Sequence, residues 1–176
     1  MYSASFEAMY SAFSRLQHQK TWEAILNAPL TIDDVILGEL IWAGSKAMLS
    51  GTAMLGVAAA LGLVASPMAV GALPVIVLLG LTFAAIGLVW TALATGYDFF
   101  MYYFTLVMTP MGFLSGVFFP VERLPEALQL LAYTLPLYHG VALIRPLLGG
   151  QIPTQIVLHG CVLVLYIVIG FCLSLH

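Results

Sequence analysis

Hydrophobic positions run in long unbroken blocks, and the few polar interruptions between them set the elements. From Ala47 to Tyr97 there is no Asp, Glu, Lys or Arg, and Phe99–Val121 and everything after Arg145 are equally uncharged. A spanning helix needs about 20 apolar residues. The blocks therefore hold four spans, predicted over 35–64, 71–95, 99–119 and 154–175. Ahead of them, Phe6, Met9, Tyr10 and Phe13 fall at i, i+3, i+4 and i+7 on one helix face. Residues 1–16 are expected to be the end of a further span, with Glu7 facing protein rather than lipid.

Two segments break the pattern. The first, 17–38, is polar. Thr21 is placed to cap a short helix carrying Trp22, Ile25 and Leu26 as an apolar ridge, and Asn27-Ala28-Pro29 ends it because the residue before proline is pushed out of the α region. Thr31 then caps the next helix, with Asp33 and Asp34 in its first turn where the helix dipole favours carboxylates. The second segment, 120–152, is apolar but cut by Pro120, Pro125, Pro136 and Pro146. It predicts two helices, about 125–134 and 138–147, each too short to span. Such helices suit a re-entrant position buried against protein.

Small residues punctuate the spans. Ala43, Ala47 and Gly51 form one stripe, and Gly80, Ala84 and Gly87 another, for close helix contact. Gly112 and Gly116 form a GxxxG pair read as a packing face, and Asp98 is placed to cap the third span. Ser66-Pro67 makes a turn. The aromatic cluster Tyr97, Phe99, Phe100, Tyr102, Tyr103 and Phe104 reads as an interfacial belt.

Composition agrees with a membrane class. The chain is 62% hydrophobic and 7% charged, with mean hydropathy +1.05, against about 25% charged in soluble domains. No basic patch with interleaved aromatics points to nucleic acid. Cys161 and Cys172 are too far apart on one helix for a disulfide and are read as small core residues. His139 and His159 lack acidic or thiol partners at metal-binding spacing and are read as satisfied histidines. Glu122 and Glu126 flank a helix start, where capping and solvation account for them. Lys46 lies inside a predicted span. It either snorkels toward Glu39 and the interface or serves a pathway or an interhelix pair. No metal, catalytic set or cofactor is expected. Basic residues divide almost evenly between 15–46 and 120–152, so charge leaves orientation open. The chain begins without a leader pattern and ends in mid-pattern at Cys172–His176, as a fragment would.

Two stretches carry a resemblance. Thr21-Trp22-Glu23-Ala24-Ile25-Leu26-Asn27-Ala28-Pro29-Leu30, followed by Asp33-Asp34 and Gly38-Glu39, resembles the cytoplasmic coupling helix of ABC-2 type permeases of ATP-binding-cassette exporters. Phe113-Leu114-Ser115-Gly116-Val117-Phe118-Phe119-Pro120, with Leu124-Pro125, Leu135-Pro136 and Ile144-Arg145-Pro146, resembles the same family's fifth span and external re-entrant helices. Within the family the similarity is to lipooligosaccharide-export permeases of the nodulation-factor exporter type.

The resemblance implies an all-α polytopic, type V exporter-like transmembrane domain of the bacterial inner membrane, lacking the family's first span and most of its second. It implies that 17–38 is cytoplasmic and 120–152 external. It also implies a separate ATPase subunit, since no Gly-x-x-x-x-Gly-Lys-Ser/Thr loop is present to bind ATP here, a second permease copy, and surrounding lipid. The ATPase-contacting residues would be Thr21, Trp22, Glu23, Ile25, Leu26, Asn27, Pro29 and Leu30. The external motif would comprise Ser115, Gly116, Phe118, Phe119, Pro120, Leu135, Pro136, Arg145 and Pro146. A drug-efflux permease of the same family and a non-transport membrane assembly protein stay open as alternatives.

Overall fold

The computed structural model describes residues 1–64 and 66–175; Ala65 and His176 lie outside the described residues, so the apolar chain end is described as far as Leu175. Among the described residues there is helix and no strand. Helix α1 begins at Tyr2–Phe6 and runs on through two π-helical stretches, Glu7–Ser11 and Ser14–His18. A short α2, Thr21–Leu26, and the long α3, Ile32–Ala60, follow. After a 3-10 turn, Pro67–Gly71, come α4, Ala72–Leu93, and α5, which runs over 98–114 with a π-helical middle at Tyr103–Met108. The chain closes with α6, Glu126–Thr134, α7, Pro136–Leu148, and α8, Ile156–Ser174.

Helix α4 is the hub. It has no titratable side chain and packs against α1, α3, α7 and α8. Its buried residues Leu79, Phe83, Ala84, Ala85 and Leu88 join the core to Met9, Phe13, Ala43 and Leu163. Lipid supplies no hydrophobic drive between helices, so small residues that let backbones approach do the packing. Both predicted stripes face this helix pair: Ala43 and Ala84 are fully buried, and a Cβ on Gly80 would lie 2.7 Å from that of Ala47. The closest backbone approach is at Gly170 of α8, where a Cβ would meet the Ala85 carbonyl carbon at 3.1 Å.

Among the described residues, Pro67–Leu93 and Ile156–Ser174 are long and apolar enough to cross a membrane, and the α6–α7 pair, bent by 86°, makes at most one more. Helix α3 has the length, at 29 residues, or about 44 Å. Its charges leave a continuous apolar stretch only beyond Lys46.

Several local expectations are corrected. Thr21 does not cap α2; Lys20 holds that position in a left-handed conformation (φ 50°). Asp98 opens α5 without a side-chain cap. The third span stops at Leu114 rather than 119 because Gly116 turns the chain at φ 78°, and a Cβ on Gly112 would meet nothing, so the GxxxG pair is a helix stop and not a packing face. The aromatic cluster is no simple belt. Phe100 and Tyr103 are fully buried, Phe100 edge-on to Tyr10 and Phe13, while Tyr97 and Tyr102 remain exposed. Helix α5 needs an inner face against α1, and these rings fill it. Cys161 and Cys172 are exposed and free, on the side of α8 away from its buried Leu163 and Gly170.

Candidate functional site

Two helices present polar stripes to each other beside α2. On α1, Glu7, Ser11 and Arg15 recur every four residues; on α3, Glu39, Trp42 and Lys46 recur at three and four. Each spacing stacks side chains on one helix face. The stripes interlock. Arg15 Nε donates to Glu39 Oε1 at 2.6 Å and its Nη2 pairs with Oε2. Lys46 Nζ reaches Glu7 Oε2 at 2.7 Å, Trp42 Nε1 donates to Glu7 Oε1 at 2.8 Å, and Ser11 Oγ donates to Oε2 at 2.9 Å. Arg15 also stands 3.5 Å from Glu7, joining the two pairs.

Both carboxylate side chains are nearly closed off from solvent (7% and 9% exposed), Arg15 is 24% exposed and Lys46 46%. Buried charges persist only when paired and hydrogen-bonded, and here two acids meet two bases with indole and hydroxyl donors filling the remaining sites. Lys46 thus reaches α1 and not Glu39, its neighbour on the same helix. Its ammonium also lies 5.4 Å from the Trp42 ring centre, in cation–π range.

Helix α2 is wired into this set. Trp22 Nε1 donates to Glu39 Oε1 at 3.3 Å, and Ile25 lines a cleft of about 420 Å³ with Arg15, Leu30, Asp34, Val35 and Trp42. The expected ridge is therefore split. Trp22 and Ile25 turn half-buried toward the chain's own α1 and α3, whereas Glu23, Leu26, Asn27, Pro29 and Leu30 stand exposed and Thr21 is half-buried at the helix start. A six-residue helix has only enough turns to bury one side, and the polar network claims the Trp22 side. Beyond the proline break, the Thr31 N–H and hydroxyl both donate to Asp34, at 2.9 and 2.8 Å. They hold its carboxyl below the usual range and fix the start of α3.

At the other end of the bundle the second motif comes together. Ser115, fully buried, donates to the Met111 carbonyl at 2.6 Å and closes the last turn of α5. Arg145 of α7 donates to the carbonyl of Gly116 at 2.6 Å and that of Val117 at 3.4 Å. Both carbonyls lie in the turn just past the C-terminal end of α5, where cationic donors are favoured. The Ser-Gly-Val-Phe-Phe-Pro run and the Arg-Pro pair, far apart in sequence, are thus one clamp. Phe118, Phe119 and Pro120 all stand exposed. Leu135 is extended, and Pro136 starts α7 at its first position, where proline's fixed φ suits a helix.

Sequence reasoning did not bring Glu7, Arg15, Glu39 and Trp42 together, nor did it join His139 to His159. In the structure, His139 Nδ1 and His159 Nδ1 are 2.7 Å apart and both rings are buried. The four-residue recurrence of Glu7, Ser11 and Arg15 was the available signal for the first set. Nothing local signals the second.

The model of the family described as ABC-2 type transporter matches residues 1–148. The chain is 51% identical over 174 residues to nodulation protein J of Rhizobium leguminosarum bv. viciae, covering 99% of this chain and 67% of that protein. It is 48% identical over 174 residues to nodulation protein J of Sinorhizobium fredii, covering 99% and 66%. To that of Azorhizobium caulinodans it is 28% identical over 156 residues, covering 89% and 61%. The chain spans about two thirds of the length of these relatives. No solved structure matches it. With most of its length inside the family model and near-half identity to full relatives, the chain belongs to the ABC-2 type transporter family, as an all-α, multi-pass domain of the bacterial inner membrane.

Proposed function

We propose that the chain is the membrane part of an ATP-driven exporter that moves an amphipathic lipooligosaccharide or related glycolipid outward. ATP is hydrolysed on a separate ATPase subunit, two permease copies form the pathway, and α3, α4, α5 and α8 are the spans that follow the end of a span in α1. The substrate class rests on the similarity to nodulation protein J and to lipooligosaccharide-export permeases. The observation that carries the mechanical part is the hydrogen-bonded path from Trp22 through Glu39 and Arg15 to Glu7 and Lys46. A push on α2 reaches α1 and α3 together through the largely buried Arg15–Glu39 pair, which transmits a displacement because separating it is costly. In this reading the exposed Glu23, Leu26, Asn27 and Leu30 meet the ATPase, while Trp22 and Ile25 carry the movement inward.

The test is recovery of the ATPase subunit with the full-length permease. Leu26→Asp, which changes the outward side alone, is expected to abolish co-purification. Trp22→Phe, which removes the indole donor and keeps an apolar ring, is expected to keep the complex but uncouple substrate-stimulated ATP hydrolysis. Undiminished recovery with Leu26→Asp sinks the docking assignment. Stimulation of the reconstituted complex by small hydrophobic drugs and not by lipid-linked sugars sinks the substrate class.

A further inference from the structure

His139 and His159 are buried in the contact between α7 and α8, one on each helix. Their tautomers follow from geometry. His139 Nε2 lies 3.0 Å from the carbonyl oxygen of Tyr133. A carbonyl only accepts, so Nε2 carries the hydrogen and the neutral ring offers Nδ1 as an acceptor. His159 Nδ1–H must then donate into the 2.7 Å contact. One proton serves two nitrogens.

This arrangement tolerates one added proton and not two. The first goes to His159 Nε2; the Nδ1–H bond survives and becomes charge-assisted. A second can only go to His139 Nδ1, which turns the acceptor into a donor. Two hydrogens then face each other between like charges, and the contact must open. Interacting sites of this kind titrate as a pair, in steps that belong to the pair and not to either ring.

No charged side chain is hydrogen-bonded to either ring. Across the contact, α4 carries no titratable group. Helix α6 contributes Tyr133 through its carbonyl; Tyr138 lies edge-on to both rings, with Glu122 beyond it; and Tyr166 of α8 donates to the Thr134 carbonyl at 2.6 Å. Arg145, further along α7, is engaged by the α5 clamp. Among the described residues, the histidine contact and Tyr166–Thr134 are the side-chain hydrogen bonds that tie the α6–α7 hairpin to α8.

We propose that His139 and His159 form a pH-sensitive latch, holding the re-entrant hairpin on the last span at neutral pH and releasing it when both rings are protonated. Its position at the outer face rests on the transport reading above and the orientation that the family resemblance implies; its chemistry does not. The experiment is hydrogen exchange on the full-length permease in lipid nanodiscs, without ATPase or substrate, so its outcome stands apart from the transport reading. Protection factors over 136–148, corrected for the intrinsic pH dependence of exchange, are compared at about pH 7.5 and about pH 4.5, on either side of the ordinary histidine value.

Protection is expected to fall about tenfold or more, the effect of one or more pKa units of coupling. In His159→Asn the drop is expected to vanish. The amide presents its NH₂ to neutral His139 and, flipped, its oxygen to the charged ring, so the bond outlasts protonation. An unchanged wild-type profile, or the same drop in His159→Asn, overturns the latch. If that variant does not fold, exchange of the imidazole C2 hydrogens in the wild type decides. His139 is expected to titrate only after His159, and independent titration of both rings near the ordinary value overturns the proposal.

Discussion

At the residue scale, the two ion pairs beside α2 differ in a way that makes a ranked prediction. Arg15 is the main partner of Glu39 and a secondary one of Glu7, and it is mostly covered. Lys46 is half exposed, and its partner Glu7 keeps Trp42, Ser11 and Arg15 when the ammonium is gone. Stranding a buried charge costs about 3–5 kcal/mol, whereas solvent-screened pairs contribute about 0–1 kcal/mol. Arg15→Met is therefore expected to cost about 3 kcal/mol and Lys46→Met about 1 kcal/mol or less. Thermal unfolding of the full-length protein in detergent checks the order; equal losses, or a larger one for Lys46, would show that Glu7 and not Glu39 is the vulnerable carboxylate. Why the pairing was hard to read is physical. Sequence distance along α3 puts Glu39 within reach of Lys46, but the helix faces rotate each toward α1, and only the crossing of α1 over α3 decides who meets whom.

At the scale of elements, boundaries followed from local chemistry where a single residue forces the backbone. Pro29, Thr31 with Asp34, Pro125 and Pro136 each fell where their geometry requires, and the two helices of 120–152 came out with little shift. The third span did not, because an apolar run says nothing about where a glycine will take positive φ. Gly116 ends α5 early, and its own carbonyl, in the turn, is met by Arg145 twenty-nine positions on. That clamp predicts its own energetics. Charged donors to backbone carbonyls contribute about 1.5–3 kcal/mol, so Arg145→Met is expected to destabilise by about 2 kcal/mol and to raise hydrogen exchange over 109–117. Pro146→Ala, which removes a ring but no donor, should leave that segment protected. Comparable exchange in both variants would mean that α7 holds the turn by packing and not through the guanidinium.

At the scale of the whole molecule, composition alone placed the chain in a membrane, while the identity of its central helix had no local signature. Helix α4 is the hub because it is apolar on all sides and studded with small residues, which lets four helices approach it. The polar segment that stands out in the sequence lies at the bundle's end. The number of crossings is the property that the helices by themselves constrain least, since α3 carries charge and α5 is short and π-bulged. Sidedness turns this into one measurement. Glu23 precedes α3 and Glu126 follows α5, so three crossings put them on opposite sides, and two put them together. In the full-length protein with Cys161 and Cys172 replaced by serine, Glu23→Cys is expected to react with a membrane-impermeant maleimide only in inverted vesicles, and Glu126→Cys only in right-side-out cells. Both residues are exposed, so accessibility is set by topology and not by burial. Labelling from one side would mean an even number of crossings. One of α3 and α5 would then fail to span, the α6–α7 hairpin would share a face with α2, and the path from Trp22 to Lys46 would act on the same side as the histidine latch.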